Sequence, residues 1–211
     1  DLQSWQSVVV KALRNEWFDG VKGYNSMLLS TEFYDLFSVY DYILIYQLDA
    51  YVFRNELDEW VAKGYDYIGA PWIIKRGLSY YLFGGWMQAL HRKLHPIGEG
   101  ENMVHAHLAF SVGNGGLSLR RVSKMREMAE QFADEISRLR FGEERRAAED
   151  VFFSLVAGRR CGLKKPGWRE ALAFAWESKP DYCMHTIGKL PFGCHAWSLP
   201  RYKSFWKQYI K

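Results

Sequence analysis

Five apolar or aromatic residues in an unbroken run, Tyr42-Ile43-Leu44-Ile45-Tyr46, with a carboxylate at Asp49 just beyond, most constrain what this chain can fold into. A short run rich in Ile and Tyr and bounded by polar residues predicts a buried strand of a parallel sheet. Asp49 then falls just past the carboxyl end of the strand, where open α/β sheets bind ligands. A carboxylate there can hold a divalent cation, which takes oxygen ligands and shares them with a substrate phosphate. It can equally cap a turn. On this stretch alone the two readings stand level.

The 211 residues are enough for one α/β domain with a core, and a single domain over 1–211 is expected. Nine Trp in a chain that is 17% aromatic are more than a core usually needs. Most should still be core or rim, but the excess leans towards a ligand with apolar faces, such as a sugar. The net charge of +4, from 28 basic and 24 acidic residues, is mild. Basic pairs such as Arg145-Arg146 and Lys164-Lys165 alternate with acids and form no long block. That argues against a nucleic-acid surface and fits an anionic small ligand or an anionic membrane surface. Cys161, Cys183 and Cys194 are odd in number and lack metal-ligand spacing, so no disulfide framework and a reducing compartment are expected. No apolar run approaches the ~20 residues of a membrane span, and no signal peptide is evident. A cytoplasmic location is expected, or a peripheral one at the membrane. The chain opens on Asp1 rather than Met and is expected to have lost N-terminal residues or to be a fragment.

Taken in order, residues 4–14 predict a helix, Gly20 and Gly23 a loop, and residues 25–37 a second helix capped by Asn25 or Ser30. After Asp49, Asn55 is the expected cap of a helix over 56–63 that Gly64 closes. Residues 65–72 predict a short strand breaking into a turn. Residues 73–107 hold five glycines and little periodicity, which predicts a lid-like insertion with a short helix near 85–94. A strand over 108–112 is expected to break at Gly113-Asn114-Gly115-Gly116 and to resume over 117–120. Those glycines permit positive φ and would leave backbone N–H groups free to face a ligand. Helices follow over 122–139 and 143–157, a helix or strand edge over 166–177, a compact turn over 190–197, and a terminal amphipathic helix over 202–211. Glu149 and Asp150 lead directly into the apolar Val151-Phe152-Phe153. One of two such adjacent acids should reach a cleft, where it can serve as a general base; a solvated helix face is the alternative. His195 alone is more often structural than a ligand.

Five stretches together resemble the bacterial glycosyltransferase-like family DUF5672, and through it the GT-A glycosyltransferases. They are Tyr-Asp-Tyr-Ile-Leu-Ile-Tyr-Gln-Leu-Asp-Ala (40–50), Gly-Tyr-Asp-Tyr-Ile-Gly-Ala-Pro-Trp (64–72), Gly-Asn-Gly-Gly-Leu-Ser-Leu-Arg (113–120), Glu-Asp-Val-Phe-Phe (149–153) and Leu-Pro-Phe-Gly-Cys-His-Ala-Trp (190–197). The resemblance implies a GT-A-like, Rossmann-like mixed sheet flanked by helices. It also implies further N-terminal strands before the Gln47 strand, for which this chain has little room.

The resemblance also implies roles. Gln47-Leu48-Asp49 resembles the DxD motif, with Gln in place of its first Asp and with Asp49 as the metal-touching residue. Gln accepts a hydrogen bond but brings no charge, which lowers metal affinity. Gly113, Asn114, Gly115 and Gly116 resemble the loop that approaches the donor sugar. Asp150, beside Glu149, resembles the base of an xED motif, and His195 the histidine that completes the metal site. Trp72 and Trp197 are expected to stack on sugar rings and Arg120 to meet a phosphate bidentately, or else to form a surface salt bridge. The function the resemblance implies is transfer of a sugar from a UDP- or GDP-linked donor to a hydroxyl of a glycan or other acceptor, with Mn²⁺ or Mg²⁺ and with inversion. Two other classes compete: a non-catalytic carbohydrate-binding or assembly module, and a metal-dependent phosphohydrolase using the same carboxylates.

Overall fold

A computed structural model describes residues 9–73, 90, 94, 107–141, 143 and 147–210. Residues 9–14 form neither helix nor strand, so the described part of the helix expected over 4–14 is absent. Val9 and Val10 are exposed there, and a run of β-branched residues with no apolar neighbour gains little from helix formation. A 3₁₀ turn at Asn15–Phe18 leads into α1 (Gly20–Leu28), where a loop was expected. Gly23 serves close approach rather than a turn: a Cβ there would overlap the backbone of Glu16 and Trp17. The helix expected over 25–37 is broken at Ser30, whose extended backbone (φ −93°, ψ 145°) starts α2 (Thr31–Asp35). Ser30 Oγ accepts the Phe33 N–H at 3.2 Å, the capping bond expected of it.

Strand β1 (Tyr42–Tyr46) lies where the apolar run put it. A tight turn follows, closed by Ala50 N–H donating to Gln47 O at 2.9 Å, and leads into β2 (Tyr51–Val52). Next come α3 (Leu57–Ala62), closed by Gly64 at φ +65°, and β3 (Tyr67–Pro71). The lid-like reading of 73–107, with its helix near 85–94, lies outside the described residues save Ile73, Leu90, Leu94 and His107. No strand precedes Gly113 over 108–111: Phe110 sits at φ +56° in a turn. Instead β4 (Val112–Arg121) runs through all the glycines in one piece. After it come α4 (Val122–Gln131), α5 (Ala133–Ile136) and α6, which joins Glu149–Val151, a π-helical Phe152–Ala157 and Gly158–Arg160. The chain ends with α7 (Trp168–Phe174), β5 (Ala175–Trp176), α8 (Pro180–Ile187), β6 (Gly193–Cys194) and α9 (Pro200–Trp206).

The strands form two small open sheets, β1-β4-β3 and β2-β6-β5. The parallel sheet expected around β1 is not what forms: β1 pairs antiparallel with β4, from Tyr42 opposite Arg121 to Tyr46 opposite Leu117. An Ile- and Tyr-rich run fits either pairing, and direction is set by the partner, which lies far along the chain. At the edge of its sheet β1 is half-buried, whereas the central β4 is buried almost throughout.

Helices cover the first sheet on both faces, which makes three layers. Ile43 and Ile45 of β1 join Tyr67, Tyr34, Met125, Phe152 and Phe153 under α1, α2, α4 and α6. Tyr42 and Leu44 point the other way, to Ile68, Leu119, Trp60 of α3 and Phe174 of α7. The period-two alternation of β1 is therefore shared between two cores. The second sheet packs under α7, α8 and α9 through Trp176, Cys194, Cys183 and Trp206. Five of the Trp residues, at 17, 60, 72, 176 and 206, are core residues. All three cysteines are free thiols. Among the described residues no helix is long and apolar enough to cross a membrane.

Candidate functional site

The register of the second sheet gathers three polar side chains. Tyr51 of β2 lies opposite Cys194 of β6, and Trp176 of β5 beside the same Cys194. Just beyond these pairs, Asp49 approaches from the β1–β2 turn two residues before Tyr51, while His195 follows β6 and Glu177 follows β5 directly. The result is an Asp49 Oδ1–His195 Nε2 contact of 3.1 Å, with Glu177 Oε1 3.9 Å from His195 Nδ1. The His195 side chain is only 13% exposed while Asp49 is 39% exposed, so the imidazole is the fixed partner and the carboxylate faces outwards. The His195 backbone is tied to Trp176 O through its N–H at 2.9 Å. Gln47 extends the β1–β4 ladder, its N–H donating to Gly116 O at 3.0 Å. Leu48 between Gln47 and Asp49 is fully exposed.

Gly115 and Gly116 bring Asp150 and His195 to the same short piece of β4. A Cβ on Gly116 would overlap the His195 ring; one on Gly115 would overlap Glu149 and crowd Asp150. The glycines therefore make room for side chains. Their N–H groups are not free for a ligand: Gly115 N–H donates to Asp150 Oδ2 at 3.3 Å and Gly116 N–H to Asn114 Oδ1 at 3.3 Å. Gly113 makes room in turn for Ser154 and the tip of Trp72. Asp150 also accepts the Val151 N–H on Oδ1 at 2.7 Å. Both bonds are to the carboxylate's oxygens and hold it aimed at β4 while it stays partly exposed.

Glu149 and Arg120 play a different part from the one expected. They form a bidentate pair, Nη1–Oε2 and Nη2–Oε1 both 2.9 Å, with side chains 3% and 0% exposed. Arg120 also meets Ser118 Oγ and the hydroxyls of Tyr34 and Tyr67. Its guanidinium thus faces a carboxylate of its own chain rather than a phosphate, and the pair lies in the core rather than on the surface. Burial opposes the Arg120 charge most, but the Glu149 carboxylate together with Tyr67 and Tyr34 holds the pKa well above the ordinary value. Trp72 is buried beside Leu108, Val151 and Leu155 and leaves no face for a sugar; Trp197 is half-buried among the aromatics of the second sheet.

Two residues of this region, Tyr24 and Glu177, carried no sequence signal, and a third, Asn25, was expected to cap a different helix. Asn25 Oδ1 accepts the Glu149 N–H at 2.9 Å, which caps the start of α6 from a distant helix. The Tyr24 hydroxyl is buried near Gln47, Glu149 and Asp150; burial, with the Glu149 charge adding to it, pushes its pKa up to about 12. Glu177 was hidden behind the apolar pattern of the preceding helix and strand. Contacts of this kind depend on which elements meet, not on local spacing.

Among the described residues no group of three or more His, Cys, Asp or Glu side chains is gathered around one point. Asp49 and His195 do fit as two neighbouring ligands: atoms bound to one ion at ~2.0–2.2 Å lie about as far apart as these two do. The His195 Nδ1 is buried without a hydrogen-bond partner; Glu177 Oε1, 3.9 Å away, would have to move closer to accept the second N–H of a metal-bound histidine.

A family model described as "Protein of unknown function (DUF5672)" matches residues 7–195. The chain belongs to the DUF5672 family. The match ends on His195 and takes in Asp49, the β4 glycines and Asp150, so the site lies within the DUF5672 region. No curated protein and no solved structure matches this DUF5672 chain.

Proposed function

We propose that this DUF5672 protein is a metal-dependent glycosyltransferase of GT-A type that moves a sugar from a nucleotide-sugar to a hydroxyl of a glycan acceptor, with inversion. The observation that carries the reading is the convergence of Asp150 and the Asp49–His195 pair on Gly115 and Gly116, from parts of the chain far apart in sequence. In this reading Asp49 and His195 would hold Mn²⁺ or Mg²⁺ with the donor diphosphate completing the shell, Gln47 hydrogen-bonds beside it, and Glu177 orients His195. The metal supplies charge stabilisation to the departing nucleoside diphosphate. Asp150 accepts the proton of the acceptor hydroxyl as its oxygen bonds to the anomeric carbon, and the bond from that carbon to the diphosphate oxygen breaks. Glu149 keeps Asp150 in place by anchoring α6 to Arg120.

Calorimetric titration with UDP and with GDP, each with and without Mn²⁺, tests the reading. Metal-dependent binding of either nucleotide, lost in Asp49→Ala, is the expected result. Sugar binding that ignores metal and leads to no turnover would instead indicate a carbohydrate-binding module, for which the uncharged Gln47 speaks. Phosphate release without any acceptor would indicate a phosphohydrolase.

A further inference from the structure

A cavity opens between the end of α6 and the start of α7, lined by Ser154, Arg159, Lys165, Gly167, Trp168 and, from the turn before β4, Phe110. Its volume is about 460 Å³, within the ~300–1,000 Å³ range of small-molecule sites. One wall is aromatic: Phe110 and Trp168 meet with ring centroids 4.8 Å apart. The other carries two cations. The Lys165 ammonium donates to Val112 O, Ser154 O and Ser154 Oγ at 2.6–3.0 Å, which fixes its charge in the wall. Arg159, at the end of α6, is held by His107, Nη1 to Nδ1 at 3.1 Å. A guanidinium only donates, so Nδ1 accepts, and a neutral His107 carries its proton on Nε2. That contact uses one of the five N–H donors of Arg159. Among the described residues no carboxylate lies against it, and partial burial alone pulls its pKa below the ordinary value.

We infer that this cavity is a binding site for a small ligand that carries an oxyanion, phosphate or carboxylate, on an apolar ring: the anion meets Arg159 and the ring lies against Trp168 and Phe110. Arg159 presents a planar fork suited to either oxyanion, and Lys165 adds charge behind it. The site is distinct from the Asp49–His195 pair and stands whether or not the transferase reading does.

The test is calorimetry in chelator with phenyl phosphate and, separately, benzoate. Saturable binding of at least one is expected, weakened tenfold or more in Arg159→Gln and unchanged in Asp49→Ala. Gly167→Asp gives a second, fold-neutral variant. Gly167 lines the cavity, has ordinary backbone angles (φ −65°, ψ 156°) at the cap of α7, and a Cβ there meets nothing within 4 Å. Asp is a favourable cap, so the variant should fold while its charge repels the anion. Binding of phenyl phosphate alone assigns the site to phosphates, and of benzoate to carboxylates. No saturable binding of either by the unaltered protein, or full affinity in both cavity variants, overturns the inference.

Discussion

Gly116 has no room for even a methyl group, because the His195 ring lies where one would go. Gly116→Ala should therefore displace the imidazole and abolish metal-dependent nucleotide binding, as calorimetry would report, in a protein whose circular dichroism is unchanged. Asp150 is a separate matter: Asn in its place keeps an acceptor oxygen for one of its two backbone bonds and loses the other, which is a local cost in a partly exposed side chain. Asp150→Asn should keep nucleotide affinity and lower transfer by ~10²–10⁴-fold, the usual worth of a positioned base. Turnover at the unaltered rate would remove Asp150 from that role. At this scale the sequence was informative about residue type and silent about direction. By residue pattern alone the acids of Glu149-Asp150 looked interchangeable, and the fold shows that Glu149 faces a buried arginine while Asp150 stays partly exposed. Arg120 was misjudged for the same reason, since nothing in its neighbours on β4 foretells a carboxylate from α6.

Elements fared better where their signal was local. The apolar run of β1 and the Ser30 cap both declare themselves within a few residues. The antiparallel pairing of β1, the unbroken course of β4 and the helix through Gly20 and Gly23 do not, because each depends on a partner that arrives from elsewhere. The buried, bidentate Arg120–Glu149 pair joins β4 to α6. Glu149→Gln leaves a buried guanidinium without its counter-charge and should cost ~3–5 kcal/mol in urea unfolding. Asn25→Ala leaves the Glu149 N–H without its acceptor and should cost about 1–3 kcal/mol by the same measurement.

For the molecule as a whole, burial separates the three thiols. Cys183 and Cys194 are buried, and burial pushes the Cys183 thiol up to about 12 and Cys194 higher still. Cys161 is partly exposed and is raised less. A disulfide reagent at pH 8 should modify one thiol in the native protein and three in denaturant; two or three fast thiols in the native protein would show that the second sheet is not closed over Cys194. That sheet has an order of its own: β6 lies between β2 and β5 and is the last of the three to occur in the chain. On a growing polypeptide β2 and β5 must wait, unpaired, until residue 194 has been made. His195 comes one residue later, so its contact with Asp49 forms only once β2 and β5 have both been made and β6 has joined them, later than the pairing of β1, β3 and β4 in the main core.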